Sequence, residues 1–214
     1  MVGPGDAKFE AAEVLRMFPT FVWKAELKPE VHKRINGTTV RTLDRIRRCL
    51  PELAPGQTWQ SDQALHKLED LRELVSCVND AVTRVLEFIK ISGDAFEITG
   101  FWANINATGA GHKIHSHPNN FLSGVYYVET HEGADTINFH DPRSQASIIR
   151  PPVTDLTAEN TDQVVVKVKD GDLLVFPSWL PHSVDPNSSG KPRISISFNI
   201  MFSSFAERMS KPLW

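Results

Sequence analysis

Three histidines in the second half of the chain have the types and spacing that metal chemistry requires. His115 and His117 are separated by a single residue, Ser116. In an extended segment, side chains two positions apart lie on the same face, so we predict that these two imidazoles project together. Neutral imidazoles are common ligands of divalent metal ions. The pair therefore supplies half of a metal site and needs a third ligand from elsewhere.

His182 is the best candidate for the third ligand. It lies far along the chain from the first pair and follows an apolar run. In a jelly roll, strands that are distant in sequence can lie side by side. We therefore predict one metal site formed by His115, His117 and His182. His112 is out of phase with His115 by the same spacing rule, and we do not assign it to the site.

Short strands must position these histidines. From residue 96 onward, alternating or apolar runs replace helical periodicity, and glycine, proline, asparagine and aspartate mark the joints between them. The predicted strands are 96–106, 113–117, 123–128, 136–140, 164–168, 173–176 and 193–201. Strands of this number and length predict a mostly β fold, an antiparallel sandwich or jelly-roll barrel backed by N-terminal helices.

The first part of the chain is predicted to support this barrel. We predict a strand at 18–23, short helices at 29–35 and 40–50 separated by Asn36-Gly37, and a long amphipathic helix that begins after Ser61. The apolar stripe of that helix is a packing surface, and its exposed part could support a homodimer. We predict a single domain over 1–214, with N-terminal strand and helical support in 1–94 and the barrel core in 95–214.

Composition excludes some classes of partner. The 214 residues include 23 basic and 26 acidic side chains, so we expect no nucleic acid and no membrane partner. Because no apolar run is long enough to span a bilayer and residues 1–12 lack the pattern of a signal peptide, we expect a soluble, cytoplasmic protein. Cys49 and Cys77 lie in helical patterns without metal-like spacing, which predicts buried free thiols.

The segment from about residue 101 to 202 resembles the double-stranded β-helix core of iron(II)- and 2-oxoglutarate-dependent oxygenases. It is most similar to a branch with a His-x-His motif. The motifs that carry the resemblance are His115-Ser116-His117-Pro118, the run 123–128, Asp141-Pro142-Arg143 and the run 176–182. The resemblance implies a cupin-like jelly roll and the cofactors Fe(II) and 2-oxoglutarate. It also implies dioxygen as a reactant and hydroxylation of a small-molecule or peptide substrate with release of succinate and CO2.

The resemblance also assigns roles to single residues. The first metal ligand falls on His115 and the distal histidine on His182. Arg193 matches the arginine that binds the far carboxylate of 2-oxoglutarate, Tyr127 a tyrosine that assists it, and Ser197 a hydroxyl residue further along the same strand. Pocket positions that could contact the cofactor or the substrate are Asn104, Trp102, Asn120, Arg143 and Trp179.

His117 stands where this superfamily usually has aspartate or glutamate. An imidazole there removes one negative charge, so that the site with a ferrous ion and a dianionic keto acid sums to zero rather than minus one. Imidazole ligands also suit zinc, nickel and copper, so the identity of the metal is less secure than its binding. Alternatively, His117 lies off the metal, and Asp135 or Asp141 supplies a carboxylate.

Two other functions are compatible with the pattern. The spacing of Gly109, His115 and His117 resembles a cupin motif, which favours a three-histidine dioxygenase that does not use 2-oxoglutarate; the glutamate of that motif is missing. A non-catalytic jelly-roll binding module would leave the open metal positions without a purpose. Arg193 and Tyr127 favour the oxygenase.

Overall fold

Two antiparallel β-sheets dominate the computed structural model, which describes residues 11–91, 95–143 and 149–206. The strands are β1 (Trp23–Glu26), β2 (Thr58–Gln60), β3 (Phe96–Asn106), β4 (His112–His115), β5 (Leu122–Glu129), β6 (Thr136–His140), β7 (Gln163–Lys167), β8 (Asp172–Pro177), β9 (His182–Val184) and β10 (Arg193–Phe202). The helices are α1 (Pro29–Arg47), α2 (Arg72–Phe88) and the short α3 (Ser203–Ala206). In these three ranges, no helix has the length and apolarity needed to cross a membrane.

The strands form a double-stranded β-helix, as predicted. The major sheet has the order β1-β8-β5-β10-β3-β2, and the minor sheet has the order β4-β9-β6-β7. Every pairing between neighbouring strands is antiparallel. Because side chains alternate along each strand, the major sheet packs one face against the helices and the other against the minor sheet.

Strand β5 shows this division of faces. Tyr126 and Val128 belong to the apolar cluster that includes the helices, whereas Val125 and Tyr127 pack with Ile137 of the minor sheet. The buried stripe of α2 lies in the first cluster and consists of Leu74, Val78, Val82, Val85 and Leu86. The helix therefore supports the sheet from outside the barrel, and the space between the sheets remains for the site.

The long helix begins later than predicted. Two short 3-10 turns occupy residues 65–67 and 69–71, and α2 begins at Arg72. Ser61 does not cap a helix, because its hydroxyl accepts a hydrogen bond from the backbone N–H of Ala103 at 3.0 Å. Ala64 also forms an isolated bridge with Phe101. These contacts hold the segment against β3, which prevents the apolar periodicity from starting a helix there.

The predicted break at Asn36-Gly37 is wrong, since α1 continues through it. The Asn36 amide donates to the carbonyl of Val128 at 2.7 Å and accepts from the Tyr126 hydroxyl at 2.6 Å. Partners on β5 thus satisfy the side chain that would otherwise compete with the helical backbone.

Two further expectations for the first part of the chain need correction. The strand predicted at 18–23 begins only at Trp23, and Phe18 has a φ of 54°, outside the extended region. Cys49 is exposed rather than buried, although both cysteines are free.

The first part of the chain also does more than support the barrel, since β1 and β2 are the two edge strands of the major sheet. The predicted junction at residue 94 lies outside the described residues.

Gly124 is required where β5 crosses the ring of Phe198. A Cβ at this position would overlap that ring and lie 2.5 Å from the carbonyl oxygen of Leu174. Overpacking of a core typically costs about 1–3 kcal/mol, so we expect Gly124→Ala to lower the free energy of unfolding by that amount. Gly190 is the matched control, because a Cβ there meets no atom within 4 Å. Chemical denaturation of both variants tests this, and equal stabilities would contradict it.

Candidate metal centre

The pairing of β4 with β9 brings two of the three predicted ligands together. His115 and His182 are direct partners in the antiparallel register, and their ring centroids lie 4.3 Å apart. His117 follows the end of β4, where its backbone N–H donates to the carbonyl of Ser178 at 2.9 Å. Its ring centroid lies 5.1 Å from each of the other two. Residues distant in sequence therefore form one cluster.

The spacing of the three imidazoles suits one metal ion. One ligand nitrogen from each ring lies within 4.8 Å of the other two. Metal–imidazole bonds of about 2.1 Å allow up to about 4.2 Å between two ligand atoms, so small side-chain rotations close the cluster on an ion. Three ligands on one side leave further coordination positions for small molecules.

In two of the rings, a backbone carbonyl determines which nitrogen is free to bind a metal ion. The Nδ1–H of His115 donates to the carbonyl of Lys113 at 2.8 Å, and that of His182 donates to the carbonyl of Leu180 at 3.0 Å. The proton therefore resides on Nδ1, and Nε2 carries the free lone pair. Such outer hydrogen bonds orient metal-binding histidines.

Burial keeps the other members of the cluster neutral. It lowers the pKa of His117 to about 4 and that of His182 to about 3, with the neighbouring imidazole of His115 acting in the same direction. Both rings are therefore unprotonated at neutral pH and can bind a cation without first losing a proton.

Among the described residues, no carboxylate joins this cluster. Asp141 forms an ion pair with Arg143 at 2.7 Å, which holds the pKa of that carboxyl below its usual range. Asp135 accepts a hydrogen bond from the backbone N–H of Gly133 instead. The geometry thus favours His117 over either aspartate as the third ligand.

The cluster opens into a cavity between the two sheets. Its wall includes the three histidines and residues from both sheets. The predicted cofactor residues are all in this wall, namely Asn104, Tyr127, Arg193 and Ser197. Trp102 is also there, and its ring centroid lies 5.9 Å from that of His117.

Arg193 is a buried cation in that wall without a counterion in the described structure. Its guanidinium makes two long hydrogen bonds, from Nη1 to the carbonyl of Thr136 at 3.4 Å and from Nη2 to Oδ1 of Asn106 at 3.5 Å. Nε has no partner among the described residues, and burial lowers the pKa of the group. A buried charge of this kind is costly unless an anion pairs with it. A carboxylate-bearing ligand in the cavity would satisfy this requirement.

Hydroxyl and amide groups extend the polar wall beyond Arg193. Burial raises the pKa of Tyr127 well above its usual range, so its hydroxyl remains a donor. The Asn104 amide donates to Oγ of Ser197 at 2.9 Å and accepts from the Gln60 amide at 2.7 Å. These fixed donors can orient a ligand that Arg193 anchors.

Three predicted pocket residues lie outside the cavity wall. Asn120 accepts from the Thr99 hydroxyl and donates to the carbonyl of Pro118, Arg143 pairs with Asp141, and the Trp179 side chain is 54% exposed. Their closeness to the histidines in sequence does not bring them into the cavity.

Sequence reasoning did not assign the polar wall residues Gln60 and His112 to the site. Gln60 belongs to a strand of three residues, which is too short for a periodic signal. His112 was excluded by its spacing from His115, although an irregularity in β4 corrects that spacing. Both residues are recognised only in the structure, where Gln60 contacts Asn104 and His112 contacts Asn106 and His115.

Comparisons with known proteins agree with this geometry. Residues 100–199 match the profile of a family described as "Putative 2OG-Fe(II) oxygenase". A search of curated proteins finds no match.

Solved structures share the fold at low sequence identity. A prolyl hydroxylase from Trichoplax adhaerens, in complex with a hypoxia inducible factor peptide fragment, superposes with a TM-score of 0.61 at 13% identity, over 89% of this chain and 87% of that one. The carbocyclase SnoK from nogalamycin biosynthesis gives a TM-score of 0.64 at 14% identity, over 91% and 89%. HygX from Streptomyces hygroscopicus, with nickel and 2-oxoglutarate bound, gives 0.60 at 9% identity, over 86% and 83%.

The family match covers all three histidines and Arg193, and the fold is that of the neighbouring oxygenases. Residues 100–199 of this chain therefore match the iron(II)- and 2-oxoglutarate-dependent oxygenase family model, on the fold that the neighbouring oxygenases share.

Proposed function

We propose that the chain hydroxylates a small-molecule or peptide substrate, with Fe(II) held by His115, His117 and His182 and with 2-oxoglutarate anchored by Arg193. The observation that carries this proposal is the presence of both groups in one cavity. Three imidazoles can hold a divalent ion, and the nearby buried guanidinium, which has no counterion among the described residues, requires an anion. A keto acid that chelates the metal and carries a second carboxylate meets both requirements.

Each residue has a defined task in this reaction. His115 and His182 present Nε2 because their Nδ1–H groups are engaged by backbone carbonyls. Arg193 binds the far carboxylate, and Tyr127 donates a hydrogen bond beside it. The apolar wall residues Val125 and Phe176 exclude water from the cavity. Bound together, the cofactors supply the oxidation, in which dioxygen and 2-oxoglutarate yield succinate, CO2 and an oxygen atom inserted into a substrate C–H bond.

The substrate class follows the range of ligands seen among the structural neighbours. One of them is in complex with a peptide fragment, and HygX has hygromycin B bound. Among the described residues of the cavity wall, Arg193 is joined by no acidic or lysine side chain. The part of the substrate that enters is therefore uncharged in this proposal. A cytoplasmic location and a homodimer stay predictions.

Anaerobic addition of Fe(II) and 2-oxoglutarate to the purified protein tests the proposal. We expect a metal-to-ligand charge-transfer band, followed by succinate when air is admitted. Tight Fe(II) binding without the band or succinate would instead favour a three-histidine dioxygenase that does not use 2-oxoglutarate. In that case the buried charge of Arg193 would have no role.

Removal of any one imidazole is expected to weaken Fe(II) binding. Loss of groups that merely orient a ligand costs about 10–100-fold in metal affinity, so His115→Ala, His117→Ala and His182→Ala should each cost at least about tenfold. Anaerobic competition with a chromogenic chelator measures this. His131→Ala is the matched control, since His131 lies in a loop outside the cluster. Unchanged affinity in His117→Ala would exclude that residue as a ligand.

Arg193→Met is expected to weaken 2-oxoglutarate binding without lowering the stability of the protein. The variant retains the apolar part of the side chain but removes a desolvated charge, so the melting temperature without ligands should be unchanged or higher. The apparent affinity for 2-oxoglutarate should fall by at least about tenfold because a charge-assisted bidentate contact is lost. Thermal melts of the metal-loaded protein with and without 2-oxoglutarate measure both effects. Stabilisation by 2-oxoglutarate equal to that of the wild type would contradict the assignment.

A further inference from the structure

An extra residue in β4 turns His112 into the cavity. In the pairing with β9, His112 lies opposite Val184 and His115 lies opposite His182, with a register shift between them. Four residues of β4, 112–115, therefore lie opposite three residues of β9, 182–184, which is a β-bulge. Partners two apart on β9 share a face, so His112 faces the same side as His115 despite the odd spacing. Val184 lines the cavity as well.

His112 is one end of a series of hydrogen bonds that connects it, through Asn106, to Arg193. The Asn106 amide donates to Nε2 of His112 at 3.1 Å and to Oγ1 of Thr58 at 2.8 Å. Its carbonyl oxygen Oδ1 accepts from Nη2 of Arg193 at 3.5 Å. Because an amide nitrogen can only donate, Nε2 of His112 is the acceptor, and the proton resides on Nδ1. This bond also occupies the nitrogen that a fourth metal ligand would need.

Asn106 is the residue through which these hydrogen bonds connect the two sheets. On the major sheet it lies opposite Arg193 of β10 and opposite Thr58 of β2. His112 reaches it from the minor sheet. Both amide hydrogens are therefore committed, one to each sheet, and the orientation of Oδ1 towards Arg193 depends on them.

The orientation of Arg193 depends in turn on Asn106. The guanidinium has only the two long hydrogen bonds to Thr136 and Asn106, and its Nε has no partner in the described parts of the chain. If His112 stopped accepting, the Asn106 amide could turn, and Arg193 would lose one of its two contacts. The protein would then hold the cation less precisely for an incoming carboxylate.

We infer that His112 is a positioning residue that acts through Asn106 on Arg193 and sets the preference for keto acids with a second carboxylate. This inference rests on the proposed function, in which Arg193 binds the far carboxylate. His112 accepts the amide hydrogen, Asn106 aligns the guanidinium, and the guanidinium selects 2-oxoglutarate over keto acids that lack the far carboxylate.

Two amide substitutions test this role in the intact, Fe(II)-loaded 214-residue chain. The side-chain oxygen of His112→Gln reaches the place of Nε2 and can still accept, whereas that of His112→Asn is too short. Anaerobic titrations with 2-oxoglutarate and with 2-oxobutyrate, which lacks the far carboxylate, give the two affinities. Fe(II) affinity and the melting temperature are measured in parallel.

We expect His112→Asn to weaken 2-oxoglutarate binding by about tenfold and His112→Gln to remain within about twofold of the wild type. The affinities for 2-oxobutyrate and for Fe(II) should be unchanged in both variants. Equal losses in the two variants, equal losses for the two keto acids, or weaker Fe(II) binding would each overturn the inference. Failure of the wild-type protein to bind 2-oxoglutarate would instead be a failure of the proposed function, visible before any variant is compared.

Discussion

The pairing of β4 with β9 is the constraint on which the site depends. It places His115 opposite His182, and the shift in its register turns His112 into the same cavity. The Nε2 atoms of the two imidazoles are free because backbone carbonyls of the same two chain segments accept hydrogen bonds from the Nδ1–H groups. One strand pair at the edge of the minor sheet therefore fixes the position and the tautomer of two ligands at once.

The charges in the cavity indicate the kind of ligand that it can bind. Three imidazoles and a buried guanidinium give a site without an anion of its own among the described residues. With a divalent ion bound, the cavity is strongly positive, and a dianionic keto acid is the natural counterion. A carboxylate in place of His117 would supply part of that negative charge from the protein. In the proposed site, the histidine would therefore make metal binding more dependent on the keto acid.

Local patterns in the sequence predict most of the strands, and the three histidines that they single out do form one cluster. The short strands β2 and β9 were not predicted, and His117 lies beyond the end of β4. Interactions between distant residues explain the failures. A β-bulge reverses the phase of His112, and partners on β5, at Tyr126 and Val128, keep α1 intact through Asn36. Asn120 and Trp179 are neighbours of the histidines in sequence but are not part of the cavity wall. None of these contacts has a local signature.

The most direct test of this account is a crystal structure determined anaerobically with Fe(II) and 2-oxoglutarate bound. We predict that the metal contacts His115, His117 and His182, and that the far carboxylate of the keto acid pairs with Arg193. A metal ligated by an aspartate or glutamate with His117 turned away, or a keto acid whose far carboxylate lies away from Arg193, would contradict it.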